Sequence, residues 1–251
     1  MRAPGLFRPV RRTGAATLLL LAACAGAPPV EGDLLPRRAD ASVAQALDYY
    51  LYLPPGYAGR DDWPLVLFLH GGGESGTDLA KVRTHGPPAL IDRGADFPFV
   101  LLAPQNPYPD RMWDDAALAA FLDAVMPSLR VDPDRVVVTG LSRGGMATWR
   151  LGMQRPERFA GLAPIAGGGE PVYAFRLRGV PVRAYLGARD QAVRVGDARR
   201  VADRLAAEGG DVTLIVYDDA DHQETWERAY ADPALWDWIE TRRRSAGSEE
   251  R

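Results

Sequence analysis

Short apolar runs recur along the chain from residue 48 onward and alternate with stretches of helical period. Pro64–Leu69 and Phe99–Ala103 are apolar at every position, and Val136–Thr139, Leu162–Ile165, Val182–Leu186 and Val212–Tyr217 are nearly so. Runs of this kind suit strands covered on both faces. Asp48–Leu53 reads Asp-Tyr-Tyr-Leu-Tyr-Leu, an aromatic-rich strand stopped by Pro54-Pro55-Gly56. Between the strands, Asp114–Leu129 gathers Leu118, Phe121, Leu122 and Val125 on one helical face. Gly145 to about Arg155, Ala198–Ala207 and Pro233–Thr241 are further predicted helices, and a short one carries Trp226 and Tyr230 four apart. Strands alternating with helices predict a single α/β domain over residues 42–241: a mostly parallel sheet with helices on both faces. Connections are short, and the one around Glu170 to Arg178 is too small for a large lid.

The ends have a different composition. Arg2, Arg8, Arg11 and Arg12 precede the apolar run Ala15–Ala23, which is too short to span a bilayer. It ends in Leu21-Ala22-Ala23-Cys24, and Cys24 is the single cysteine. That tetrapeptide resembles the processing site of bacterial lipoproteins. The resemblance implies a signal peptide over 1–23, lipidation of Cys24, and an exported domain held to a membrane by that anchor. Residues 24–41 read as a flexible tether and 242–251 as a charged tail. A lone cysteine leaves no intramolecular disulfide, so packing alone must stabilise the domain. A net charge of −3 and a pI near 5.7 give no electrostatic case for nucleic acid. Oligomeric state is not legible.

The candidate chemistry starts at the valine-rich run. Val136-Val137-Val138-Thr139 leads into Gly140-Leu141-Ser142-Arg143-Gly144, which fits G-x-S-x-G between a strand and a helix. A sharp turn at Ser142 pushes its hydroxyl outward and needs neighbours without a Cβ. The following helix aims free N–H groups at the serine, favouring negative charge on a bound substrate. A serine hydroxyl needs a base within hydrogen-bond reach. Of three histidines, His222 follows the last strand, where a flexible loop could swing it over Ser142, and it satisfies the order serine, acid, histidine. His70 precedes a glycine loop and braces it, while His85 packs or lines the cleft. Asp190 ends a strand between serine and histidine, so it is the preferred orienting acid over Asp197, Asp211, Asp218 and Asp219. An oxyanion formed during acyl transfer needs preorganised donors. One is the backbone N–H of Arg143; the other comes from the His70–Gly73 loop, best from Gly72. His70, Gly73 and Trp113 are candidate substrate contacts, Trp113 by stacking on an aromatic or sugar-bearing group. The histidines have no metal-ligand spacing, and the chemistry calls for no cofactor.

Several of these stretches together resemble the α/β-hydrolase superfamily, in its branch of predicted peptidases and phospholipase/carboxylesterase-like esterases. They are Tyr52-Leu53-Pro54-Pro55-Gly56-Tyr57, Pro64 to Gly76, His85-Gly86-Pro87-Pro88, Ala103-Pro104-Gln105, Asp132-Pro133-Asp134-Arg135, Thr139 to Gly145, and His222 with Trp226 and Tyr230. The resemblance implies a Ser142–His222–Asp190 triad, an oxyanion N–H from Gly72, and hydrolysis of carboxylic esters; the short connections leave an open cleft, which suits acyl groups on polysaccharides or aryl esters better than buried lipid. A peptidase of the same fold and a catalytically silent surface-binding lipoprotein are the competing readings. Two positions depart from the family pattern: Arg143 stands where an uncharged residue is usual, and Asp221 replaces the usual glycine before the histidine.

Overall fold

A computed structural model describes residues 31–39 and 46–244. Its strands are β1 (Leu34–Arg38), β2 (Asp48–Tyr52), β3 (Trp63–Leu69), β4 (Val100–Pro104), β5 (Val131–Leu141), β6 (Gly161–Ile165), β7 (Val182–Gly187) and β8 (Val212–Tyr217). They form one sheet in the order β1-β2-β4-β3-β5-β6-β7-β8. β2 runs antiparallel to β1 and β4, and every pairing from β4 through β8 is parallel. The helices are α1 (Gly86–Asp92), α2 (Asp115–Val125), α3 (Arg143–Gln154), α4 (Val195–Ala207), α5 (His222–Ala231) and α6 (Pro233–Glu240). No helix among the described residues is long and apolar enough to cross a membrane.

The side-chain period of a strand sorts the central residues into two cores. Leu65, Leu67 and Leu69 of β3, with Val100 and Leu102 of β4, pack with Phe121 of α2, Trp149 of α3 and Val201 of α4. Val66, Phe68, Leu101 and Ala103 face the other way, onto Ile91 of α1, Tyr230 of α5, and Leu235 and Ile239 of α6. A sheet apolar on both faces must be covered on both, and three helices lie on each side. That arrangement is the expected α/β architecture.

Two boundaries differ from the sequence reading. The stretch read as tether contributes β1, which pairs Leu34 with Tyr52 and Arg38 with Asp48. Its Leu-Leu-Pro-Arg-Arg composition hides it, because Pro36 argues against a central strand; proline is tolerated on an edge, where β1 lies. The helix expected to reach Leu129 ends at Val125 and tightens into a 3₁₀ turn, Met126–Ser128. Pro127 removes the donor that a continuing α-helix requires.

The parallel run has a functional consequence. β3, β5, β7 and β8 all finish at the same rim, so the residues following them, His70, Ser142, Asp190 and His222, are delivered to one edge of the sheet.

Candidate active site

Ser142 occupies the turn between β5 and α3 at φ 53°, ψ −116°. A non-glycine residue at positive φ costs about 1–3 kcal/mol and persists only where its surroundings hold it. The Ser142 N–H donates to the Ile165 carbonyl at 2.9 Å, and its own carbonyl accepts from Met146 N–H at 2.9 Å. The turn also needs room: a Cβ on Gly140 would lie 2.6 Å from the Gly144 carbonyl oxygen.

The Ser142 hydroxyl points at His222, with Oγ 2.8 Å from Nε2. On the other side of the ring, His222 Nδ1 lies 2.6 Å from Asp190 Oδ2. Asp190 is fixed in turn, since its Oδ1 accepts from the amides of Ala192 and Val193, both at 2.8 Å. With the ring proton on Nδ1 and donated to the carboxylate, Nε2 presents a lone pair to the serine hydroxyl. The Asp190 side chain is 1% exposed and that of His222 24%, so the carboxylate is sealed while the imidazole meets solvent.

His222 does not sit on a flexible loop. It is the first residue of α5, which has a capping box at its start. Asp221 accepts from Glu224 N–H at 2.9 Å, and the Glu224 carboxylate takes the Asp221 N–H at 3.0 Å. Such an N-cap contributes about 1 kcal/mol to a helix. The unusual aspartate before the histidine therefore fixes where α5, and with it the imidazole, begins. The spacing Asp221-x-x-Glu224 is the helix-start signal that would have revealed this in the sequence. The imidazole also rests edge-on against Trp226, one turn along, with centroids 4.9 Å apart.

The glycine loop after β3 passes close to the serine: a Cβ on Gly71 would fall 3.6 Å from Ser142 Cβ. Arg143 opens α3, and neither its amide nor that of Gly72 has a protein acceptor among the described residues. The Arg143 guanidinium donates to the carbonyls of Pro109 and Arg111 at 2.8 and 3.1 Å, and a Cβ on Gly72 would fall 2.9 Å from it. The departure at this position is thus a clamp: the side chain lies against the Gly72 backbone and ties the 106–113 loop to it.

Three expected substrate contacts resolve differently. His70 is fully buried and both ring nitrogens are engaged, so it is not a substrate contact. Its Nε2 accepts from Asn106 N–H at 3.0 Å, which places the proton on Nδ1, 2.6 Å from the Gly71 carbonyl it serves. Burial lowers its pKa to about 4, opposed by the Gly71 carbonyl and reinforced by the Arg143 charge, so the ring stays neutral. It braces the loop. Trp113 is not a stacking platform either. It is 4% exposed, packs against the His70 ring at 4.7 Å and donates its indole N–H to the His70 carbonyl at 3.1 Å. A buried tryptophan usually finds a partner for its indole N–H, as here. Gly73 is exposed, and a Cβ there would meet nothing within 4 Å. Asn106, which holds His70, carries no sequence signal.

Comparison with known proteins extends the picture. The model of the dienelactone hydrolase family matches residues 106–232, half of the chain. The chain belongs to the dienelactone hydrolase family. This agrees with the superfamily resemblance of the sequence. The protein named "Putative esterase NocK" from Nocardia uniformis subsp. tsuyamanensis is 32% identical over 201 residues, covering 62% of this chain. Carboxylesterase NlhH of Mycobacterium tuberculosis is 35% identical over 100 residues, 38% of this chain. The chain spans 57% of NocK and 30% of NlhH in those matches. Among solved structures, a thermostable esterase superposes with a TM-score of 0.72 at 27% identity, covering 84% of this chain and 64% of its own. Acetyl xylan esterase from Aspergillus awamori, at 14% identity and a TM-score of 0.63 over 82% of this chain and 99% of its own, shares the fold.

Proposed function

We propose that this chain is a serine hydrolase of carboxylic esters, with Ser142 as nucleophile, His222 as general base and acid, and Asp190 as the group that orients His222. The observation that carries the reading is the continuous hydrogen-bond relay from Asp190 through His222 to Ser142, at 2.6 and 2.8 Å. Ser142 Oγ attacks the ester carbonyl carbon while its proton passes to His222 Nε2. Negative charge collects on the carbonyl oxygen, and the amides of Gly72 and Arg143 donate to it. The bond to the alcohol breaks as His222 returns the proton to the leaving oxygen. Water, deprotonated by His222, then attacks the acyl-enzyme and releases the acid, restoring Ser142.

The space beside the relay supports a reading of the substrate class. An open cleft of about 480 Å³ is walled by Met112, Met146, Ala192, Val193 and the peptide faces of Gly168 and Gly169. Met146 lies one turn beyond Ser142, and Val193 bonds Asp190, so the cleft adjoins the reacting atoms. Three of its charged wall residues are paired, Arg200 with Asp197 at 2.6 Å and Arg150 with Asp115 at 2.8 Å, and the fourth, Glu170, adds a negative charge that disfavours an anionic acyl group. The exposed large apolar side chains among the described residues are Tyr108, Met112, Val172, Tyr173 and Phe175. They fall on the 106–113 loop and the 3₁₀ segment Pro171–Leu177, both of which border this cleft. Met112 lines the cleft itself, and the others lie on segments that reach it through Met112 and Pro171. These apolar groups favour aryl or bulky, polymer-borne esters.

A fluorophosphonate probe tests the chemistry. Wild-type protein is expected to be labelled on Ser142 and Ser142→Ala to remain unlabelled; an unlabelled wild type would sink the proposal. Aryl, feruloyl, acetyl and peptide-anilide substrates then rank ester against amide cleavage.

The anchor belongs to the same proposal, although Cys24 lies outside the described residues. Expressed in a bacterium fed labelled palmitate, the wild type is expected to carry the label in the membrane fraction and Cys24→Ser to lose it. Equal labelling of both would remove the lipoprotein reading.

A further inference from the structure

The relay accounts for one face of the His222 ring and leaves a second group of polar side chains unexplained behind it. His85, in the His-Gly-Pro-Pro stretch, is the N-cap of α1. Its ring meets Trp226 at 5.7 Å, and Trp226 meets the His222 ring at 4.9 Å. On its other side, His85 Nε2 lies 3.8 Å from Glu74 Oε1.

Glu74 is unusual in its own right. Its side chain is only 7% exposed, and it folds back against the glycine loop that supplies Gly72. The position that a Cβ on Gly71 would take is 3.2 Å from Glu74 Oε2 and 3.6 Å from Ser142 Cβ. The carboxyl is therefore close to the reacting centre without belonging to the relay. Burial raises its pKa, with the amides of Glu74 and Gly71 and the His85 ring acting in the opposite direction. The other imidazole near it is His70, at 4.0 Å, but that ring is neutral and its Nδ1 proton is committed to the Gly71 carbonyl. His85 is thus the remaining partner with which the carboxyl can share a proton or a charge.

We propose that Glu74 and His85 are a positioning pair that locks the oxyanion loop to the helix bearing the catalytic base. The chain of contacts runs from Gly71 through Glu74, His85 and Trp226 to His222. It sets the Gly72 amide and the His222 imidazole at a fixed spacing across Ser142. The neighbouring backbone makes the link stiff. Gly86 adopts φ +64° directly after His85, and a Cβ there would lie 2.6 Å from the Phe68 ring, so α1 has a single seating against the sheet. A carboxylate left there without a partner would stand beside a site where a second negative charge must develop. A lone buried carboxylate is strongly disfavoured, whereas replacing both members of a buried pair is close to neutral.

That asymmetry provides the test. The inference rests on the serine-hydrolase reading, so the readout is the rate of fluorophosphonate labelling at Ser142, together with kcat and KM on a soluble aryl ester. His85→Gln strands the carboxyl, and labelling and kcat are expected to fall about 10- to 100-fold with KM nearly unchanged, a loss in the range of misplaced catalytic groups. Glu74→Gln keeps an acceptor beside Gly71 and is expected to cost about threefold or less. The double variant Glu74→Gln/His85→Gln is expected to recover to near the Glu74→Gln rate. Wild-type rates in His85→Gln would overturn the proposal, as would a double variant slower than His85→Gln. Should His85→Gln fail to fold, Trp226→Phe, which shortens the ring between the two imidazoles, must slow labelling about 10-fold, and an unchanged rate would count against the pair. Failure of wild-type labelling would instead strike the hydrolase reading itself.

Discussion

His222→Ala is expected to leave the protein folded and to lower kcat on an aryl ester by about a million-fold, the scale seen when the base of a serine triad is removed. The structure separates the two effects. His222 is the first residue of α5, and the capping box that starts the helix uses the side chains of Asp221 and Glu224, not the imidazole. Alanine is the best helix former at such a position. The interactions lost are one edge-on contact with Trp226, at 4.9 Å, worth about 1 kcal/mol, and the bond to the buried Asp190, whose carboxylate keeps the amides of Ala192 and Val193, at about 1–3 kcal/mol. Turnover, by contrast, loses the side chain that hydrogen-bonds Ser142 Oγ at 2.8 Å. Thermal melts and steady-state kinetics on the same preparation check the pair of claims. Activity within tenfold of wild type, in a folded variant, would remove His222 as base.

Gly144→Ala acts on the opposite quantity. A Cβ at Gly144 would overlap the backbone carbonyl of Leu69 and lie 2.7 Å from that of His70. Leu69 ends β3, a central strand with no exposed residues, and His70 directly follows it, so neither can yield without shifting the sheet. Overpacking against backbone has no rotamer to absorb it, and a cost of about 4 kcal/mol or more is expected. For a domain of this size that lowers Tm by roughly 8–16 °C. Calorimetry on the two proteins reads it directly. A Tm within about 2 °C of wild type, on the order of 0.5–1 kcal/mol, would mean that α3 and β3 can part without disturbing the sheet.

The two expectations draw on different layers of the sequence. The sheet was readable because its central strands are apolar on both faces, a pattern that little except a covered parallel strand produces between turn signals. Pro64–Leu69 and Val136–Thr139 lie within the observed β3 and β5. β1 was hidden, since Leu-Leu-Pro-Arg-Arg on an edge has neither alternation nor a buried face to advertise it. At the site, residue type and position after strands point to Ser142, His222 and Asp190, which the structure joins by hydrogen bonds. What supports them was not legible. Asn106 reaches His70 through its backbone N–H, and a main-chain donor leaves no mark on residue identity. Trp113 looked like a stacking surface because a lone tryptophan in a loop gives no hint that its indole N–H will find the His70 carbonyl. The aspartate before His222 looked like a departure, and its reason became plain only with Glu224 beside it.

The placement of His222 has a bearing on how this scaffold can diversify. An imidazole anchored in a capped helix does not depend on the conformation of any variable surface segment. The 171–177 segment that borders the cleft is consequently free to accept insertions or new side chains, whereas the 106–113 segment, which holds His70 and Arg143, is free only at exposed positions such as Tyr108 and Met112. Libraries built on those positions should change which acids and alcohols are accepted and leave the intrinsic reactivity of the serine untouched.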